Sequence, residues 1–170
     1  MKQFFLFLIL VISFSANAQF KSANLQASGL TCAMCNNAIN KALSKLSFIE
    51  KVESEISTSS FKIQFKEGVT VDFDEMRKKV EGAGFSIAKL QVVTVFKNVN
   101  VKAGVPFIVY GASFNFLNSK EQVLNGEQII TIIDRNFVSA KEYKKYTLTT
   151  KTESYKTGLQ DGRRLYHITI

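Results

Sequence analysis

The chain has 170 residues, 46% of them hydrophobic and 21% charged, with a net charge of +8, one proline, two cysteines and one histidine. That balance excludes a disordered tail, a collagen-like repeat and a multi-pass membrane protein. Two cysteines are too few for a disulfide-dense scaffold and one histidine is too few for a histidine-built zinc site, so any chemistry falls to the cysteine pair.

Met1 to Ala18 reads as an export signal. Lys2 supplies the positive end, Phe4 to Phe14 (FFLFLILVISF) is an apolar run of 11 residues, and Ala16-Asn17-Ala18 is a small-x-small cleavage site. A spanning helix needs about 20 apolar residues, so no stable membrane insertion is expected after cleavage. Cleavage after Ala18 removes 18 of the 170 residues and leaves 152, which begin at Gln19 and work in the periplasm or outside the cell. Residues 19–91 hold 10 basic and 8 acidic side chains and residues 92–170 hold 11 and 6, so most of the excess positive charge sits in the second half. Such a charge suits nucleic acid, anionic lipid or an acidic protein, and export argues against nucleic acid.

Leu25 and Ala27 mark a strand that ends at Gly29. From Cys35 to Leu46, the residues Ala38, Ile39, Ala42, Leu43 and Leu46 fall at helical spacing and form one apolar stripe. Val52 to Ile56 and Ser60 to Lys66 predict two strands joined by a turn at Ser57-Thr58-Ser59; Phe61, Ile63 and Phe65 alternate with polar residues, as in a sheet with one wet face. Asp72 and Glu75 have capping-box spacing and open a second helix whose buried stripe is Phe73, Met76, Val80 and Ala83. Gly82 and Gly84 end that helix, and Phe85 to Val93 is a last strand. The order βαββαβ over residues 19–91 predicts an α+β, ferredoxin-like sandwich of one antiparallel sheet and two helices.

Residues 92–170 read as a small, mostly-β domain, a sandwich or a partly open barrel. The expected strands are Val92 to Val101, Phe107 to Phe116, Gln128 to Asp134, Tyr146 to Ser154 and Arg164 to Ile170, with a short helix only at Ser139 to Lys145. His167, on the terminal strand, is expected to be packed or at the surface rather than a ligand. Lys141 to Tyr146 interleaves basic and aromatic residues, which outside the cell suits a solvated face or a docking patch. No carboxylate pair, Ser/His/Asp arrangement or phosphate-cradling glycine loop is visible along the chain, and the protein is expected not to be an enzyme.

The chemistry sits in Gly29-Leu30-Thr31-Cys32-Ala33-Met34-Cys35. With Cys32 in a loop and Cys35 opening a helix, C-x-x-C brings two sulfurs within reach of one ion. The positive helix end favours thiolate, the form that binds metal. Gly29 supplies the backbone freedom for leaving the strand. Two sulfurs do not meet the four-ligand demand of structural zinc, and soft ligands at low coordination number select a soft ion, Cu(I) before Hg(II) or Zn(II). Thr31 adds no carboxylate that would favour a harder ion. Met34 carries a thioether, yet a spacer side chain here is expected to face solvent or pack locally.

GLTCAMC, the following NNAINKALSKL and the later VEGAGFSIAKL resemble the heavy-metal-associated domain of copper chaperones, copper-pump N-terminal domains and periplasmic mercury-binding proteins, over about residues 22 to 91. The family pattern is G-M-T-C-x-x-C, and Leu30 stands where Met is usual. The resemblance implies that Cys32 and Cys35 are the metal ligands, that Leu30 is a loop anchor and that Phe85 packs beneath or beside the metal loop. It implies a metallochaperone that hands its ion by thiolate exchange to a partner metal-transfer protein or a metal-transporting ATPase. The alternatives are a Hg(II) or Zn(II) scavenger, a metal-regulated interaction module or, more distantly, a thiol-disulfide exchange protein. The last lacks a Trp before the motif, and the chain's only proline, Pro106, lies in the other half.

Overall fold

A computed structural model describes residues 20–30, 33–117, 120–150 and 152–170; the expected export signal, with Thr31 and Cys32, lies outside them. The first half follows the expected order: β1 (Phe20–Ser28), α1 (Ala33–Leu43), β2 (Ile49–Glu55), a 3-10 turn at Ile56–Thr58, β3 (Ser60–Phe65), α2 (Phe73–Gly82) and β4 (Ser86–Val101). Alternation places Ala23, Leu25 and Ala27 of β1 and Phe61, Ile63 and Phe65 of β3 in the core. Ile39 and Leu43 of α1 and Phe73, Met76 and Val80 of α2 supply the covering layer. Helix α1 starts two residues earlier than its apolar stripe predicts and stops at Leu43, with Leu46 buried in the turn that follows. Asp72 caps α2 as expected, its carboxylate accepting from the Glu75 N–H at 2.9 Å.

β3 lies between β2 and β1, and β4 pairs with the other edge of β1, all antiparallel, which is the ferredoxin-like arrangement. The second half adds β5 (Phe107–Val109), β6 (Ala112–Phe116), β7 (Gln122–Ile132), α3 (Ala140–Thr149), α4 (Glu153–Thr157), β8 (Leu159–Gln160), β9 (Arg163–Arg164) and β10 (Tyr166–Thr169). Among the described residues its strands close no barrel. They extend the same sheet, in the order β2-β3-β1-β4-β7-β10-β6-β5, and β8 and β9 form a separate two-stranded ribbon. β10 inserts parallel to β6 and antiparallel to β7. The expected boundary at residue 91 falls inside β4, whose alternation of buried and partly exposed residues runs unbroken from Leu90 to Phe96. A bulge follows, where Asn98 takes a positive φ and the ladder to β7 skips from Phe96 to Val99.

The strand expected at Tyr146 to Ser154 is overturned: α3 runs on to Thr149, and α4 begins at Glu153. The β-branched threonines suggested a strand, but the Thr147 hydroxyl donates to the Tyr143 carbonyl at 2.9 Å and Thr149 to Tyr146 at 3.1 Å, bonds that a helix satisfies within itself. Ser139 caps α3 by accepting from the Glu142 N–H at 3.2 Å. Tyr143 and Tyr146, three apart, turn toward a small cluster of Ile133, Val138 and Tyr155.

Candidate metal centre

Three connections meet at one end of the sheet. β1 and β4 align Ser28 opposite Ser86, and the two hydroxyls share a hydrogen bond of 2.5 Å. That pairing fixes where the chain leaves β1 at Gly29 and where it enters β4 from Gly84-Phe85. On the other side the Ala27 N–H donates to the Ser59 carbonyl at 3.0 Å, which brings the β2–β3 turn to the same end.

Gly29 has φ +82°, a conformation that a side chain resists, so the freedom expected of it is used. Leu30 is half-buried and packs against the main core. Phe85 also packs partly buried against that core, held by its N–H on the Val80 carbonyl at 3.2 Å. Ala33 opens α1, so Cys35 lies within the first turn rather than starting it. The first turn carries no acidic side chain to offset the positive helix end. Cys35 is half-buried and its sulfur is held in a disulfide. Met34 is 83% exposed, facing solvent as expected of the spacer. The expected ligand Cys32, with Thr31, is outside the described residues.

A second polar constellation is not readable in the sequence. Asp134 accepts from the His167 backbone N–H at 3.2 Å, pairs with His167 Nδ1 at 2.7 Å and receives Arg164 Nη2 at 3.1 Å. His167 Nε2 meets the Ser154 hydroxyl at 3.1 Å. Arg164 reaches on to Asp74 at 2.6 Å, and Asp74 also takes the Tyr166 hydroxyl at 3.1 Å and Arg77 at 3.3 Å. Gly158 makes room for this: a Cβ there would sit 2.7 Å from Arg164 Nη1, which instead donates to the Gly158 carbonyl at 3.0 Å. Asp134, His167 and Ser154 have the order of a nucleophile-activating triad. His167, however, is 0% exposed and Tyr155 stands edge-on to its ring at 5.2 Å, so the imidazole meets no solvent-borne reactant. The array is a structural clasp of α4 and the Asp134 loop onto β10. Its members lie 13 and 33 residues apart on separate elements, so only a lone polar residue in each apolar stretch hints at it.

Burial pushes the Asp74 carboxyl up, but the hydrogen bond and charge of Arg164, with Tyr166 and Arg77, outweigh it and hold the group below its ordinary 3.8. A carboxylate depressed in the fold contributes its stability in full above the unfolded value and loses it as pH falls through the lower folded value. Thermal melts of Asp74→Asn are therefore expected to show a shallower loss of Tm below about pH 4 than the parent. Parallel acid limbs would count against the linkage.

Residues 24–86 match the family "Heavy-metal-associated domain", and the C-terminal half is matched to no family. A "Copper-transporting ATPase" of Helicobacter pylori is 31% identical over 120 residues, covering 66% of this chain and 16% of that protein. "Copper chaperone CopZ" of Staphylococcus epidermidis is 24% identical over 63 residues, 37% of this chain and 91% of that protein. Among solved structures, a "CopZ metallochaperone" aligns at 18% identity and TM-score 0.37 over 39% of this chain and 98% of that one. Oxidized MerP from Ralstonia metallidurans CH34 aligns at 24% identity and TM-score 0.37, over 41% and 97%.

Proposed function

With residues 24–86 a heavy-metal-associated domain related to copper chaperones and copper ATPase domains, we propose that the chain carries one Cu(I) between Cys32 and Cys35 and passes it on by ligand exchange. The observation that supports this reading most directly is the position of Cys35 in the first turn of a helix that follows a glycine-permitted turn. Backbone donors at that end stabilise a thiolate. A disulfide-bonded Cys35 offers no such ligand, so an external dithiol must first exchange with it, leaving as its own disulfide and supplying the two electrons that free the sulfur for loading.

Transfer then needs no catalyst. A thiolate of the acceptor adds to the two-coordinate ion to give a three-sulfur intermediate and one donor sulfur leaves; a second acceptor thiolate then adds and the other donor sulfur leaves, so the ion is never free. The acceptor or donor is a metal-transfer protein or a metal-transporting ATPase, a reading supported by the likeness to a copper-transporting ATPase. The protein acts after export, with cleavage at Ala18, and residues 92–170 serve docking.

Anaerobic titration of the reduced protein tests this. One equivalent of Cu(I) is expected to bind in preference to Zn(II), and Cys32→Ser/Cys35→Ser to bind none. Retention of Cu(I) by the double variant would overturn the site. Zn(II) or Hg(II) displacing Cu(I) would replace the chaperone reading with that of a scavenger.

A further inference from the structure

Helix α3 is two-sided in an unusual way. At about 100° per residue, Lys144, Leu148, Lys141 and Lys145 fall in that order within an arc of about 100°, with Leu148 between lysines. All four are exposed, Leu148 at 77%. The opposite arc holds Glu142, Tyr143, Tyr146 and Thr147, all half-buried. Tyr143 stacks on Tyr155 at 5.1 Å, so the lysines project from an anchored element. Lys21, Lys51, Lys62, Lys102 and Lys156 each sit within 4 Å of a carboxylate, whereas among the described residues Lys141, Lys144 and Lys145 have no such ion pair.

We propose that this face of α3 docks the chain on an anionic lipid bilayer surface. The three cations and the apolar side chain among them match phosphodiester headgroups over acyl chains: ammonium groups at headgroup depth, aliphatic stems and Leu148 below. The stripe contains no arginine, the residue suited to bidentate recognition of individual carboxylates on a protein. Arg77 and Arg164 are instead committed to internal carboxylates. The helix has ten residues, too few to span a bilayer, so attachment through it lies along the surface. This inference is independent of the metal reading.

The test is co-sedimentation of the full chain with phosphatidylcholine vesicles, with and without phosphatidylglycerol. Partition is expected only onto the anionic vesicles, to fall with added salt, and to drop about a hundredfold in Lys141→Gln/Lys144→Gln/Lys145→Gln, at roughly fivefold per lysine. Leu148→Ser is expected to weaken partition while leaving retention on polyglutamate beads unchanged. Insertion of the apolar run Phe4 to Phe14 would act equally on neutral vesicles and on every variant, so it cannot mimic this pattern. Equal partition of the triple variant and the parent, indifference to salt in the unmodified chain, or retention on polyglutamate without partition onto vesicles would each overturn the proposal.

Discussion

Replacing Asp134 by Ala is expected to destabilise the protein by about 3–5 kcal/mol, the loss seen when one member of a buried ion pair is removed and its partner stays. The carboxylate is 4% exposed and serves three donors at once: the His167 N–H, His167 Nδ1 and Arg164 Nη2. Alanine leaves His167 Nδ1 and the His167 backbone N–H unpaired in the interior, and among the described residues Arg164 keeps Asp74 alone as a counter-charge. Asp134→Asn retains an acceptor but lacks the charge, so its loss should fall between those of the parent and the alanine variant. Urea denaturation at neutral pH measures both. A loss under about 1 kcal/mol for the alanine variant, with an unchanged m-value, would mean that Arg164 and His167 find water instead and that the clasp is not closed. The argument concerns the broken pair only; a well-packed apolar replacement of the whole cluster is a different comparison and need not destabilise.

The first half was legible because its information is local. Period 2 in Phe61, Ile63 and Phe65, period 3.6 in Phe73, Met76 and Val80, and the Asp72 cap each decide an element within a few residues. The positive φ of Gly29 was legible for the same reason, from its place where the chain leaves β1. The joining of the second half was not. Nothing in Tyr166 to Thr169 says that they insert between β7 and β6, because alternation specifies which face is buried and not which strand lies alongside. β4 is the instructive element: its alternation continues past residue 91 through Phe96, a continuity that favours one sheet over a linker, and no proline or glycine interrupts Ser86 to Val101. The threonines after Tyr146 misled because strand propensity records a fit to a half-buried pleat, and here their hydroxyls return to helix carbonyls. The Ser154 clasp was hidden by sequence distance alone.

Phe73→Ala is expected to cost about 3–5 kcal/mol, the range for deleting a buried aromatic side chain, and to lower Tm by about 6–20 °C for a chain of this size. Phe73 opens α2 with no exposed surface and is ringed by aromatic side chains: Phe20 at 5.1 Å and Tyr166 at 5.4 Å in edge-to-face geometry, Phe114 at 6.4 Å and Phe65 at 6.5 Å. Phe20 and Phe65 belong to β1 and β3, whereas Phe114 and Tyr166 belong to β6 and β10, so one ring seals both halves. If the halves share this core, calorimetry of the variant should show one transition moved as a whole, and amide exchange should lose protection in β3 and in β10 together. Were residues 92–170 an independent unit, the variant would split the melt, lowering one transition and leaving the other in place. Phe73→Leu refills part of the volume and should recover part of the loss without altering the number of transitions, which separates a packing effect from a disturbed start of α2.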